Sequence, residues 1–419
     1  METTPAVALF LTLAILIIAA RVAGTLARQL GQSRVLGELL VGILLGPTVI
    51  NLLHSTALGI EQAHLEETIH LLAEIGVLLL MFKVGLDVHL SELRKVGRLA
   101  VSAGVIGAVL PVLMVVPVVL AFNFSLEVAL YAGVTLAAMS TSISAQVLLE
   151  LGQLNTKVGH ALLATALVDD IVAILMLSVI GILTASGGVA GSETLVGVIL
   201  RMVLFIGLGG LLALRALPWL LDRAGDRPQV AASFGLPALA LAAAFLFGWA
   251  AEALGGVAAI TGAFLAGAGI SFTSQPVKTQ IARAIDPILY SLFVSIFFVS
   301  VGLQSDLRTF TLDSLPLMLA LLTAAIVSKL VGSTIPALLF GFTRREAIQF
   351  GFSTISRGEV GLIIMSVGLT SGVFTADDPM FASLFMVVII TTLITPIIMR
   401  RLFRVESEEP AQAVPIGGH

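Results

Sequence analysis

Long apolar runs, each closed by a charged cluster or a turn-forming Gly, Pro or Asn, fill almost the whole chain. A helix needs about 20 predominantly apolar residues to cross the hydrocarbon region of a bilayer. Thirteen runs are near that length, at 4–26, 34–53, 68–87, 98–122, 128–151, 158–185, 193–216, 231–253, 255–272, 286–304, 314–341, 346–372 and 378–400. The pattern predicts an all-α polytopic membrane protein of 13 transmembrane segments. The first run, about Pro5 to Ala23, lacks a basic flank and a cleavage site, so it reads as a retained helix and not a signal peptide. The polar stretch 405–419 reads as a disordered tail.

The charged residues between the runs set an orientation. Alternate gaps and segment ends hold Arg28 and Arg34; Arg94, Lys95 and Arg98; Lys157; Arg215, Arg223 and Arg227; Lys278 and Arg283; Arg344 and Arg345; and Arg400, Arg401 and Arg404. The intervening gaps hold essentially Arg308 alone, with Glu61, Glu66, Glu67, Asp377 and Asp378. Cytoplasmic loops carry the Lys/Arg excess. The expected topology therefore has the N-terminus outside and the C-terminus in the cytoplasm of a cell-membrane protein. Arg201, inside segment 7, is read as snorkelling to the outer interface.

Two short echoes suggest internal duplication. Segment 3 ends Lys83-Val84-Gly85-Leu86-Asp87, and segment 10 ends Ser300-Val301-Gly302-Leu303-Gln304. Segment 5 contains Thr141-Ser142-Ile143-Ser144, and segment 12 contains Ser353-Thr354-Ile355-Ser356. Both pairs are seven segments apart, and an odd offset reverses direction through the membrane. Segments 1–6 and 8–13 are thus expected to be two inverted repeats of six, with segment 7 as linker. Such repeats are common in alternating-access transporters, which bind substrate near the midplane.

Composition agrees with the membrane reading: 58% of the residues are hydrophobic and 11% charged, against roughly 25% charged in soluble domains. The absence of cysteine excludes disulfides and thiolate metal sites. No phosphate-cradling glycine loop or zinc-type spacing is present, and nothing calls for a cofactor or a nucleic-acid partner.

Against this background Asp169 and Asp170 stand out, adjacent in the middle of segment 6. An aspartate at helix centre costs roughly 2.5–3.5 kcal/mol, and a Leu or Ile returns only about 0.3–0.6 kcal/mol. Intramembrane carboxylates usually mark ion paths or proton relays. Lys329, mid-span in segment 11, is too deep to snorkel easily, and the aspartate pair is its natural counter-charge. Segments 5 and 12 are rich in helix-weakening residues: Ser140, Thr141, Ser142 and Ser144 in one, and Gly351, Ser353, Thr354, Ser356 and Gly358 in the other. Both are expected to be discontinuous, offering carbonyl and hydroxyl oxygens to an ion; the alternative is that their small residues only permit close packing. Arg357 and Glu359 do not face each other on a regular helix. Their favoured role is structural, with an unwound stretch or other helices supplying partners. Glu38 and Glu74 are further buried or half-buried acids, Lys83 reads as snorkelling or paired with Asp87, and His70 and His160, near helix starts, read as interfacial residues, with pH sensing as the alternative.

Together, LLAEIGVLLLMFKVGLD, the acids in ALVDDIVAIL, the lysine in AIVSKLVGS and the motif ISRGEVGLI resemble the monovalent cation:proton antiporter superfamily. Within it, the chain resembles the NapA-like sodium/proton antiporters of the second branch. GELLVGILLGP and AAITGAFLAGAGIS fit as well, and the resemblance spans the membrane portion in order. It implies an NhaA-like fold and a homodimer. The dimerisation domain would comprise 1–97 and 228–313, the core domain 98–185 and 314–404, and the linker 186–227. Segments 5 and 12 would cross within the core. It further implies that Asp170 binds the cation and the proton, that Asp169 pairs with Lys329 when the cation is absent, and that Ser140 and Thr141 lend oxygens. An Asp-Asp pair with a lysine resembles the electrogenic sort, exchanging two protons for one Na+ or Li+. Lys83 and the Met139-Ser140-Thr141-Ser142 stretch depart from the family pattern, which leaves a K+/H+ antiporter as an alternative. A sodium-coupled organic-solute symporter of related architecture is the competing class. The paired aspartates and Lys329 weigh against it.

Overall fold

A computed structural model describes residues 5–54, 63–87, 95–183, 195–227, 234–304, 308, 310–375 and 378–403. Every regular element among them is helical. In chain order they are α1 (Pro5–Gln29), α2 (Arg34–Leu45), α3 (Ala63–Asp87), α4 (Gly97–Ala121), α5 (Leu126–Thr135), α6 (Thr141–Glu150), α7 (Lys157–Leu183), α8 (Leu195–Leu204), α9 (Gly210–Gly225), α10 (Gly235–Ala250), α11 (Ala259–Ile270), α12 (Gln275–Ile288), α13 (Val294–Leu303), α14 (Leu315–Leu339), α15 (Arg344–Ser353), α16 (Glu359–Thr370) and α17 (Pro379–Phe403). Single π-turns at Phe205–Gly209 and Leu289–Phe293 join α8 to α9 and α12 to α13, and a third, Ala251–Gly255, extends α10. Among the described residues nine helices are long and apolar enough to cross a membrane. The tail 405–419 lies outside the described residues.

The outer surface is apolar. On α1, Phe10 and Ile18 are 67% and 64% exposed, while Leu16 and Ala20 on the opposite face are buried. Rows of this kind would be an aggregation hazard in water; facing lipid, they cost nothing.

The helices sort into two packed groups. In one, α3 packs on α11, α13 on α2 and α1 on α2; in the other, α4 packs on α14, α5 and α7, and α14 on α15 and α17. Glycines permit the close approaches in the first group. A Cβ on Gly85 would strike the Phe264 carbonyl, and one on Gly267 the Phe82 carbonyl, so α3 and α11 touch backbone to backbone.

Within the second group a pattern recurs. The 25-residue α4 and the 10-residue α5 are matched by the 25-residue α14 and the 10-residue α15. Both α5 and α15 start from a hydroxyl cap: Ser125 Oγ accepts from Val128 N at 3.3 Å, and Thr343 Oγ1 from Glu346 N at 3.2 Å. Both are followed by non-helical stretches, 136–140 and 354–358, that break segments 5 and 12. Even the packing matches, with Gly133 against Val112 and Gly351 against Leu330. The TSIS and STIS echo is out of step with this correspondence. Thr141–Ser144 open α6, whereas Ser353–Ser356 run from the end of α15 into the following break. What recurs is helix length and turn chemistry, which tolerate changes of side chain.

The outlying charges are accommodated individually. Lys83 reaches two carboxylates, Asp87 Oδ1 at 3.1 Å and Asp286 Oδ2 at 3.0 Å, and so ties α3 to α12. The second partner lies about 200 residues away in the chain and no local pattern announces it. Glu38 is buried and accepts from Ser295 Oγ at 3.0 Å, with Arg34 Nε at 3.6 Å. Glu74 is exposed and pairs with His70 at 3.4 Å. Arg201 lies against the left-handed turn at Gly256, beyond the C-terminal end of α10.

Candidate functional site

The two helix breaks meet. Ser140 N donates to Ser356 O at 2.8 Å, and Ser356 Oγ donates back to Ser140 O at 3.0 Å. Ser144 Oγ donates to Ser353 O at 2.6 Å and lies 2.9 Å from Ser356 Oγ. Ser140 Oγ is 3.1 Å from Ser142 Oγ. The serine run of α6 thus supplies hydrogen bonds to backbone that the second break has left unpaired, as buried polar groups require. The approach is tight. A Cβ on Gly358 would come within 2.7 Å of Ser140 Cβ, so only glycine fits there.

An ion pair lies beside this junction. Asp169 and Lys329, each 1% exposed, face one another with Lys329 Nζ 2.5 Å from Asp169 Oδ1. Each also takes a partner from the break after α5: Lys329 Nζ donates to Ala137 O at 2.7 Å, and Asp169 Oδ2 accepts from Met139 N at 2.9 Å. Buried charges are stable only when paired and further hydrogen-bonded. The unwound backbone satisfies both partners, because an intact helix would have occupied that carbonyl and amide. Asp170, 4% exposed, follows Asp169 on α7, and Thr141, also buried, opens α6.

Three successive turns of α14 serve the site. Ala325 O accepts from Arg357 Nη2 at 3.0 Å, Lys329 holds Asp169, and Ser333 Oγ lies 2.9 Å from Thr354 Oγ1 in the second break. Arg357 is fully buried, and its own carbonyl accepts from Thr392 Oγ1 of α17. The side chain of Glu359 lies outside the described residues.

Small residues on α4 let α7 and α14 close on it. A Cβ on Gly104 would lie 2.6 Å from Val168 Cβ and 3.3 Å from Asp169 N, whereas one on Gly107 would meet Ser333 Oγ at 3.6 Å and Lys329 Cδ at 3.8 Å. Gly104→Ala should therefore displace α7 at the acid pair and cost about 1–3 kcal/mol. Gly107→Ala has room for its methyl and should stabilise by about 0.4–1 kcal/mol through the lower entropy of the unfolded chain. Thermal unfolding of both variants in one detergent tests the contrast; equal losses would contradict the packing described.

Sequence reasoning singled out Asp169, Asp170, Ser140, Thr141, Lys329, Arg357 and Glu359. It missed the backbone groups of Ala137 and Met139, the glycines of α4 and the Thr392 contact. The Gly104-x-x-Gly107 spacing was the one available signal.

A polytopic helical membrane protein with paired intramembrane acids, a buried lysine partner and two broken helices in contact belongs to the class of ion-coupled transporters, not of enzymes. Residues 15–405 match the family model described as sodium/hydrogen exchanger, transmembrane, and the chain belongs to that family. It is 33% identical over 404 residues to the Na(+)/H(+)-K(+) antiporter GerN of Bacillus cereus, covering 94% of this chain and 96% of that one. It is 33% identical to the probable Na(+)/H(+) antiporter GerT of the same organism, covering 88% and 93%. To the Na(+)/H(+) antiporter of Enterococcus hirae it is 31% identical, covering 93% and 96%. The sodium proton antiporter MjNhaP1 of Methanocaldococcus jannaschii shares the fold, with a TM-score of 0.73, 16% identity and coverage of 98% and 100%.

Proposed function

We propose that this protein exchanges Na+ or Li+ for H+ by alternating access, with two protons moved per cation, and that Asp170 is the exchanging carboxylate. The carrying observation is the buried Asp169–Lys329 pair anchored on an unwound backbone, with a second buried acid next in sequence. A carboxylate that holds a proton cannot also hold a cation, so one site alternates between the two. A cation at Asp170 and Asp169, with oxygens from Ser140 and Thr141, competes with the Lys329 ammonium for Asp169. Loss of a proton from Lys329 and another from Asp170, against one entering cation, makes the cycle electrogenic.

Nine long helices, α2, α11 and the two broken segments together give thirteen crossings in this reading. The recurrence of α4–α5 in α14–α15 supports two inverted repeats. The group built on α4 and α14 is read as the moving core (98–185 and 314–404). The group built on α3 and α11 is read as the dimerisation domain (1–97 and 228–313), with 186–227 as linker. The N-terminus lies outside and the C-terminus in the cytoplasm of the plasma membrane.

The expected result in proteoliposomes holding a pH gradient is rapid dissipation on adding Na+ or Li+, read by an entrapped dye. No response to any alkali cation would refute exchange. A relative of equal identity is named for K+ as well as Na+; a response to K+ matching that to Na+ would favour this second reading.

A further inference from the structure

The two helices that carry the ion pair, α7 and α14, and the α4 on which both pack come together at one side around a cavity of about 610 Å3. Its lining includes Lys95 and Arg98 at the start of α4, Lys157 and the buried His160 at the start of α7, and Phe340 and Phe342 beyond the end of α14. Lys157 is held in place. Its Nζ donates to Gly341 O at 2.9 Å, lies 3.8 Å from Glu346 Oε2 and sits 4.0 Å above the Phe342 ring. Lys95 and Arg98 are exposed at the rim. Among the described lining residues and their partners, three basic side chains, of which Lys157 is held in place, thus stand against the single carboxylate of Glu346, and the positive N-terminal ends of α4 and α7 outweigh the negative C-terminal end of α14. The charge favours an anion.

The flank of the cavity shows which kind. Leu338 and Leu339 at the end of α14 are 44% and 78% exposed, and Phe340 is 42% exposed. On α4, Val101 and Val105 are exposed below Arg98, at 56% and 40%. An occupant with a phosphate at the rim and hydrocarbon running down these two helices satisfies both surfaces. A free phosphate satisfies only one. We propose that this cavity is a binding site for the headgroup phosphate of an anionic phospholipid in the leaflet on the Lys/Arg-rich side. That leaflet is cytoplasmic under the topology proposed above, on which the inference rests.

The probe is phosphatidylglycerol, titrated into the purified protein in neutral detergent and read by the thermal unfolding midpoint. Phosphatidylcholine and inorganic phosphate serve as parallel arms, and native mass spectrometry counts the lipid retained. Phosphatidylglycerol alone should raise the midpoint. A paired variant, Lys95→Gln with Arg98→Gln, should bind it roughly 30-fold more weakly, the scale of two basic residues at an anionic surface. Lys95→Arg with Arg98→Lys should restore binding, and Arg344→Gln with Arg345→Gln, a basic pair that does not line the cavity, should keep it. Equal stabilisation by inorganic phosphate would overturn the lipid assignment, and undiminished binding by the Gln variant would remove the site. Na+-driven exchange by the same preparation in phosphatidylcholine vesicles is measured separately, so loss of the lipid site and loss of the antiport reading give different results.

Discussion

Proteoliposomes carrying Asp170→Asn should show no Na+-dependent proton flux, a fall of at least about 100-fold, the scale of losing an essential proton-transferring group. Asparagine keeps the shape of aspartate but neither takes up a proton nor carries charge. At a position 4% exposed on a helix long and apolar enough to span a membrane, both properties matter, because water does not substitute for the missing carboxylate. The variant should nevertheless fold, since replacing a buried acid by a neutral isostere removes a desolvation cost. An unfolding midpoint at or above that of the parent, together with silent flux, is the expected combination. Normal exchange by Asp170→Asn would sink the assignment and leave Asp169 as the candidate.

The second large effect is expected at Lys329, and it has two parts. Lys329→Ala leaves Asp169 buried without its ammonium partner, and breaking a buried pair on one side typically costs about 3–5 kcal/mol. The unfolding midpoint should fall accordingly. Combining it with Asp169→Asn should recover most of the loss, because the two residues act as a unit. The functional part concerns charge. With the ammonium gone, any remaining exchange should no longer quicken when an inside-negative potential is imposed with valinomycin and K+. Unchanged dependence on potential would remove Lys329 from the coupling mechanism while leaving its structural role intact.

The multi-pass helical character of the chain was legible because the bilayer imposes a one-dimensional rule: each crossing must be apolar over a set length. Departures from that rule were legible for the same reason. Asp169, Asp170 and Lys329 are costly where they stand, and the Ser- and Gly-rich stretches weaken helices wherever they occur. Segment ends follow local turn chemistry and packing more than hydropathy. The second apolar run extends to 53, but α2 stops at Leu45, because Gly46 and Pro47 close the helix early. His160, expected at the interface, is buried, since α7 begins against the start of α4 and the end of α14.

The sequence by itself determined the solvent this chain folds in, the number and rough extent of its apolar runs, and the identity of the charges that had to find partners. Only the tertiary structure decided what those partners are. From the residues alone, Lys329 had two acids to choose from. Close packing at Gly104 against α7 and at Gly332 against α4 brings Asp169 to it, with Ala137 and Met139 completing the pair through backbone atoms that no side-chain pattern encodes. Lys83 acquired Asp286, and Arg357 the Ala325 carbonyl, in the same way. Hydropathy is a local property and can be read along the chain. A buried charge is satisfied by whichever polar group the packing of distant helices places within 3 Å, and that placement exists only in three dimensions.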